Sequence, residues 1–145
     1  MNPAQKRAVQ YSGLINRLVS TIQENQDLLN PEFEILRKAL DRDQVDKVDP
    51  VRYKRYQHDF EKGAVDYKKL ADQLKKGKAP ARLMGIHLSL VSSFNKYVEG
   101  CEMMSESIND DQTIDRQKFD DAEKIQDENM DKFSKLMQKM AAMGQ

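Results

Sequence analysis

Apolar residues recur along most of this chain at alternating spacings of three and four positions. The clearest run is Leu83, His87, Leu90, Phe94, Tyr97, Cys101, Met104 and Ile108. A mean period of about 3.5 residues is typical of a helix that buries one stripe against neighbouring helices. Similar runs elsewhere predict an all-α protein, an antiparallel four-helix bundle of long helices with one extra short helix.

The N-terminal part of the chain predicts a long helix followed by the short one. The long helix covers residues 4–29, with the stripe Ala8, Tyr11, Ile15, Leu18, Ile22, Asn25 and Leu29. Asn30 and Pro31 combine an N-cap residue with proline at the first helical position, so a short second helix is predicted to begin there. Glu32 and Glu34 then lie in its first turn, where carboxylates complement the helix dipole. No carboxylate is expected on any buried stripe.

Three further helices are predicted, over residues 50–76, over residues 80–109 and after the polar loop 109–113, where Asp115 or Thr113 is the N-cap. Gly63 lies on the apolar stripe of the first of these three. Because glycine costs about 1 kcal/mol relative to alanine inside a helix, we expect another helix to approach closely there. Residues 44–49 are predicted to be a linker between helices. Since no internal repeat, low-complexity tract or second domain is apparent, residues 1–145 are predicted to form a single helical-bundle domain.

Charge is balanced overall but unevenly distributed. The chain has 24 Lys and Arg against 24 Asp and Glu, so its bulk charge favours neither nucleic acid nor an anionic membrane. Residues 50–82 contain ten basic and four acidic residues, whereas residues 99–145 contain six basic and twelve acidic ones. We expect these two helical segments to pack side by side and to neutralise each other. The alternative is a basic face that is free to meet an acidic partner.

A set of exposed cations and methionines forms the candidate interaction surface. Methionine side chains adapt to irregular surfaces, and those near the C-terminus are expected to be exposed. The candidate interaction residues are Lys68, Lys69, Lys75, Lys76, Arg82, Met140 and Met143. The nearby tyrosines fall on a buried stripe, where they are poor stacking platforms for bases, so no nucleic-acid partner is predicted.

Motifs for catalysis or metal binding are missing from the sequence. Neither histidine completes the Glu-x-x-His motif of a di-metal bundle, and the acidic loop from Asn109 to Asp120 lacks the glycine and the final glutamate of a calcium loop. No nucleophile elbow or phosphate-binding glycine loop is present. We therefore predict no catalytic, cofactor-binding or metal-binding residues. His87 is expected to be a core histidine with one hydrogen-bond partner, and Cys101 a small apolar core residue.

Cysteine content and hydropathy bear on the compartment. A single cysteine cannot form an intramolecular disulfide, which favours a reducing environment. No segment approaches the ~18 consecutive apolar residues of a membrane span, and the N-terminal sequence has no unbroken apolar core. The prediction is a cytoplasmic protein. A chain from which a signal peptide had been removed would share these features, so that alternative stays open.

The sequence therefore predicts a non-enzymatic helical bundle that acts through protein–protein interaction, with a partner that it does not identify. A homodimer is compatible with the same features. The alternative is a bundle that binds a small ligand or a lipid in a cavity near Tyr53, Tyr56, His87 and the methionines. A core cavity of several hundred cubic ångströms, as drug-sized ligands need, would distinguish this alternative from the first function.

Overall fold

Four long α-helices form this chain over residues 1–143, the part that the computed structural model describes. Short 3₁₀ turns at Val45–Lys47 and Ala81–Leu83 lie in the first two connections. Within the described residues there is no strand, only an isolated bridge between Ile108 and Ile114. The predicted all-α class and four-helix bundle are confirmed. The helices are α1 (Pro3–Asp41), α2 (Pro50–Lys76), α3 (Met84–Ser107) and α4 (Arg116–Met143).

The predicted break at Asn30 and Pro31 does not occur. α1 is continuous for 39 residues, with Pro31 inside it. Proline removes one backbone hydrogen bond and costs about 3 kcal/mol in a helix interior. The apolar stripe nevertheless continues in register through Leu29, Phe33, Leu36 and Leu40, and Leu36 and Leu40 are buried. Burial of these side chains offsets the local penalty, so the separate short helix is instead the last part of α1.

Neighbouring helices along the chain run antiparallel. A Cβ placed on Gly63 of α2 would lie 2.9 Å from Leu29 Cδ1 of α1, which confirms the predicted close approach. The rings of Phe94 in α3 and Phe133 in α4 are 5.4 Å apart. The C-terminal part of α1 also meets the beginning of α4, where Arg37 contacts Asp120. The four helices therefore close into a ring, with α2 and α4 at opposite corners.

Polar side chains cap the starts of α1, α2 and α4. Asn2 forms a capping box with Gln5 at the start of α1, and the Asp49 side chain accepts a hydrogen bond from the backbone of Arg52 at the start of α2. Asp115 accepts a bond from the backbone N–H of Lys118 at 3.1 Å, so Asp115 caps α4. These bonds satisfy amide groups that have no partner inside the helix.

The buried apolar side chains form two clusters along the bundle axis. One cluster is centred on the aromatic rings of Tyr67, Phe94, Tyr97 and Phe133. The other contains Leu36, Leu40, Tyr53, Tyr56, Phe60, Met104 and Phe119. Both clusters receive side chains from all four helices, so each end of the bundle has its own core.

Candidate functional site

The candidate interaction residues occupy one end of the bundle. Lys68, Lys69, Lys75 and Lys76 are exposed on the second half of α2, and Arg82 is exposed in the turn before α3. Met143 is 38% exposed at the end of α4. The structure therefore brings these cations to one region of the surface, in line with their spacing in the sequence.

Met140 does not belong to this surface. It was expected to be exposed, but only 8% of it is accessible and it packs in the cluster that contains Phe133. The cause is its place on the apolar stripe of α4, seven residues after Phe133. Arg82 Nη1 donates a hydrogen bond to the backbone oxygen of Met143 at 2.8 Å, which holds the last turn of α4 against the α2–α3 connection. Met140 is thus a core residue.

The predicted neutralisation of α2 by α4 is also wrong. These helices lie at opposite corners of the ring, and α2 packs against α1 and α3 instead. Within residues 1–143, none of the four α2 lysines of the candidate surface forms an ion pair within 4.0 Å. Lys68 and Lys69 line a shallow groove between α2 and α3 that also contains Glu102 and Glu106. These lysines and glutamates attract each other only over distances greater than 4.0 Å, where solvent screens the attraction.

Charge is instead separated along the axis of the bundle. We call residues 1–27, 65–97 and 129–143 the basic end, which contains 13 Lys and Arg against five Asp and Glu. Residues 28–64 and 98–128 are the acidic end, with 11 Lys and Arg against 19 Asp and Glu. The zero net charge of the chain therefore conceals an excess of eight charges of opposite sign at each end.

At the acidic end, polar side chains hold the connections together. The Gln112 amide donates to backbone oxygens of Val45 and Val48, at 3.1 and 2.7 Å, so it links the α3–α4 loop to the α1–α2 connection. Gln112 adopts a left-handed conformation with φ of 60°. This conformation is unfavourable for a non-glycine residue. These hydrogen bonds offset its cost.

Ion pairs reinforce the same end. Arg37 donates to Asp120 Oδ1 at 2.7 and 2.8 Å and lies over the ring of Phe119. Arg116 donates to the backbone oxygen of Leu40 at 2.7 Å and to Asp43 at 2.9 Å. Both arginines connect α1 to α4, so the charges of the acidic end contribute to the fold itself.

A buried carboxyl group lies on α1, contrary to the prediction that the buried stripes carry none. Glu32 is only 7% exposed, because α1 does not break and Glu32 therefore sits in its interior, facing α2. Its Oε1 atom has no hydrogen-bond partner. Burial and the neighbouring Asp59 carboxylate raise the pKa of Glu32 to about 8, despite the opposing effect of Arg55. Glu32 therefore keeps its proton to a higher pH than an ordinary glutamate does.

Two core residues have the roles that the sequence predicted. His87 is buried, and its Nδ1 atom hydrogen bonds with the hydroxyl of Tyr11 at 2.9 Å. Burial lowers the pKa of His87, so the ring is neutral at pH 7. Burial raises the pKa of the Cys101 thiol to about 12, which makes it a poor nucleophile. Tyr53 and Tyr56 belong to the other apolar cluster, so the structure does not assemble them with His87 into a cavity.

A cavity does exist between the two apolar clusters. Its inner part, of about 60 Å³, is lined by residues that include Leu29, Tyr67 and Cys101. It adjoins an outer groove of about 440 Å³ between α1 and α4. The inner part alone is too small for a drug-sized ligand, whereas the groove is within the usual range of ~300–1,000 Å³.

No group of three or more metal-binding side chains occurs in residues 1–143. In the acidic loop after α3, Asn109 donates to the Thr113 hydroxyl at 3.1 Å, and Thr113 bonds in turn with Asp111. These side chains are therefore engaged with each other within the turn. Their spacing in the sequence is explained by this local hydrogen bonding.

Comparison with known proteins returned no match: neither a protein-family model, nor a curated protein, nor a solved structure is significantly similar to this chain. In the described residues, no helix combines the length and the apolar character needed to cross a membrane.

Sequence reasoning missed Gln112, Glu32 and the groove between α1 and α4. The burial of Glu32 could have been predicted. Glu32 lies three positions after Leu29 and four before Leu36, so it is on the apolar stripe if the helix continues past Pro31. Gln112 gave no such signal, since its role depends on two connections that meet only in the folded chain. The groove depends on the separation of two helices, which no residue pattern specifies.

Proposed function

We propose that this chain is a non-enzymatic helical bundle that binds an acidic surface of another protein through its basic end. The observation that carries the proposal is the separation of charge along the bundle, combined with exposed α2 lysines that take part in no ion pair within residues 1–143.

Concentrated like charge is unfavourable unless a partner compensates it. Lys75, Lys76, Lys78 and Arg82 follow one another within eight residues, at the point where α2 ends and α3 begins. A lysine at the end of a helix gains a little from the helix dipole, but ~0.3–1 kcal/mol explains only part of this cluster. An acidic partner would meet a complementary potential here, which increases the association rate and orients the encounter.

A protein partner is favoured over a nucleic acid. Single-stranded nucleic acids are bound by basic grooves that also present aromatic rings for stacking. The tyrosines of α2 are at most 3% exposed, namely Tyr53, Tyr56 and Tyr67. The basic end can therefore attract phosphates but offers the bases no aromatic platform from α2.

Charge reversal tests this proposal. We expect Lys68→Glu/Lys69→Glu to abolish capture of an acidic partner from native lysate, with the partner identified by mass spectrometry and its contact site mapped by cross-linking. Lys47→Glu/Lys62→Glu, which reverses two exposed lysines of the acidic end, is the matched control and should retain the partner. Equal loss with both variants, or cross-links at the acidic end, would overturn the proposal.

The acidic end of a second copy of this chain is also complementary in charge to the basic end. Sedimentation velocity distinguishes such self-association from binding of a different protein. We expect the purified chain to remain a monomer at low ionic strength. An increase in mass that salt reverses would show that the basic end binds another copy of the chain instead. Preferential capture of nucleic acid would equally contradict the proposal.

A cytoplasmic location is part of the same proposal. It is supported by Cys101, the single cysteine, whose thiol is free and buried. Fractionation of cells that produce the chain tests this location. Recovery from the cytoplasmic fraction is expected, and recovery from a secreted or membrane fraction would contradict it.

A further inference from the structure

The groove between α2 and α3 has exposed apolar residues at the basic end of the bundle. Lys68 of α2 and Glu102 of α3 line this groove. Met84 and Leu88 lie 18 and 14 residues before Glu102, close to whole numbers of helical turns, so they share its face of α3. Met84 is 42% and Leu88 62% exposed. Val91, on the same face, is half-buried and packs against the core, so apolar surface continues from the interior to the edge of the groove.

Cations flank this apolar surface. Residues 68–97, which form the half of the groove at the basic end, contain seven Lys and Arg and a single acidic residue, Asp72. Lys75 lies seven residues, about two turns, after Lys68, so it occupies the same face of α2. The other half of the groove is lined by glutamates, namely Glu61, Glu102 and Glu106. The positive potential is therefore limited to the half at the basic end.

The walls of this half are held in place by the core beneath them. The rings of Tyr67 in α2 and Phe94 in α3 are 6.2 Å apart and pack edge to face. A preformed groove between two helices is a common docking site for an amphipathic helix, because little order has to be gained on binding. Exposed apolar side chains between lysines are complementary to a helix that has apolar residues on one face and carboxylates beside them.

We propose that the basic-end half of the α2–α3 groove binds an acidic amphipathic helix of the partner protein. This inference rests on the protein-binding function proposed above and names the kind of segment that is bound. Apolar side chains of that helix pack on Met84, Leu88 and Val91, and its carboxylates pair with Lys68 and Lys75. The glutamates of the other half repel the carboxylates, so the helix lies between Lys68 and the α2–α3 connection. A flat anionic membrane is disfavoured, because it would also meet these glutamates.

Three synthetic peptides of about 18 residues, long enough to form a helix, test the site. The stripe peptide has leucines along one helical face and glutamate and alanine elsewhere. The shuffled peptide has the same composition with its leucines spread around the helix, and the basic peptide has lysine in place of each glutamate. Chemical shifts of the ¹⁵N-labelled chain should change at residues 65–91 on addition of the stripe peptide. The shuffled peptide should bind about ten-fold more weakly, and the basic peptide should not bind.

A variant and a matched control separate the apolar contact from the charge. Met84→Gln/Leu88→Gln should weaken binding of the stripe peptide about ten-fold or more, because buried apolar contact is lost. Val9→Gln/Leu28→Gln replaces two apolar residues of α1 that are 58% and 52% exposed outside the groove, and it should leave binding unchanged. Vesicles that contain phosphatidylserine should cause no shift change at Leu88.

Failure of this inference differs from failure of the proposed function. If Met84→Gln/Leu88→Gln kept the captured partner while Lys68→Glu/Lys69→Glu lost it, protein binding would stand and docking of a helix in the groove would be wrong. Equal binding of the stripe and shuffled peptides, equal effects of the two glutamine variants, or binding of the vesicles at Leu88 would also overturn the inference.

Discussion

At the acidic end of the bundle, polar and charged side chains connect helices and loops, whereas at the basic end the α2 lysines extend from the surface without ion pairs. Gln112, Arg37 and Arg116 each bond to a different segment of the chain. No such bond within residues 1–143 involves the four α2 lysines of the candidate surface, Lys68, Lys69, Lys75 and Lys76. Charge at the acidic end therefore contributes to the fold, whereas the four α2 lysines contribute no ion pair to it within residues 1–143, and we propose that these lysines serve association.

The apolar cores of the two ends should contribute to stability to a similar extent. Phe119 at the acidic end and Phe133 at the basic end are 0% and 3% exposed. We expect Phe119→Ala and Phe133→Ala each to lower the free energy of unfolding by about 3–5 kcal/mol, because each leaves a cavity. Urea denaturation measures both. A loss below 1 kcal/mol at either end would show that this end does not have a packed core.

Glu32 should make the folded chain less stable as the pH rises. Its pKa is about 8 in the folded chain, against 4.5 for an unperturbed glutamate. Folded protein therefore retains a proton that unfolded protein releases, so stability decreases as pH rises from about 4.5 to 8, by at most ~1.4 kcal/mol per pH unit. Glu32→Gln should remove this slope, and the variant should be more stable than the wild type at pH 8.

Glu34→Gln, at an exposed position two residues further along α1, is the control for Glu32. Its stability should follow the wild-type curve between pH 4.5 and 8. If Glu32→Gln followed that curve too, the Glu32 carboxyl would be solvated and ionised, and its burial against α2 would be wrong.

Gln112 provides a smaller test of the acidic end. Gln112→Ala removes the amide that bonds to the α1–α2 connection, and leaves the backbone oxygens of Val45 and Val48 without this donor. We expect a loss of about 1–2 kcal/mol in thermal or urea unfolding. Gln138→Ala, at an exposed position of α4, should change stability by less than ~0.5 kcal/mol. Equal effects would mean that the two connections are not linked by Gln112.

The helices could be predicted from the sequence because an apolar stripe reports directly on which face is buried. The Asn30 and Pro31 signal was misleading, since capping preferences are local and weaker than burial of the stripe that continues through Phe33 and Leu36. Once α1 is recognised as one helix, an up-and-down order places α2 and α4 at opposite corners. The charge pairing was wrong because it was inferred from composition alone, which does not specify which helices are neighbours.

The candidate surface could be predicted only in part. Runs of lysine are visible in any sequence, and their exposure follows from the register of α2. Met140 was misplaced because its position near the C-terminus was taken to mean exposure, whereas it lies seven residues after Phe133 and packs in the same apolar cluster. The separation of charge between the two ends of the bundle is likewise not visible in the sequence. Each end is made of segments that are far apart along the chain and become neighbours only in the fold.

Neutralising the charges of each end tests the comparison most directly. Lys68, Lys69, Lys75 and Lys76 are changed to Gln in one variant, and Arg37, Arg116 and Lys118 are changed to Gln in the other, with stability measured by urea denaturation at low salt. We predict that the first variant stays within about 1 kcal/mol of the wild type, whereas the second loses at least ~2 kcal/mol, because its arginines bond across α1 and α4. A loss from the first variant as large as that from the second would contradict the division of roles between the two ends.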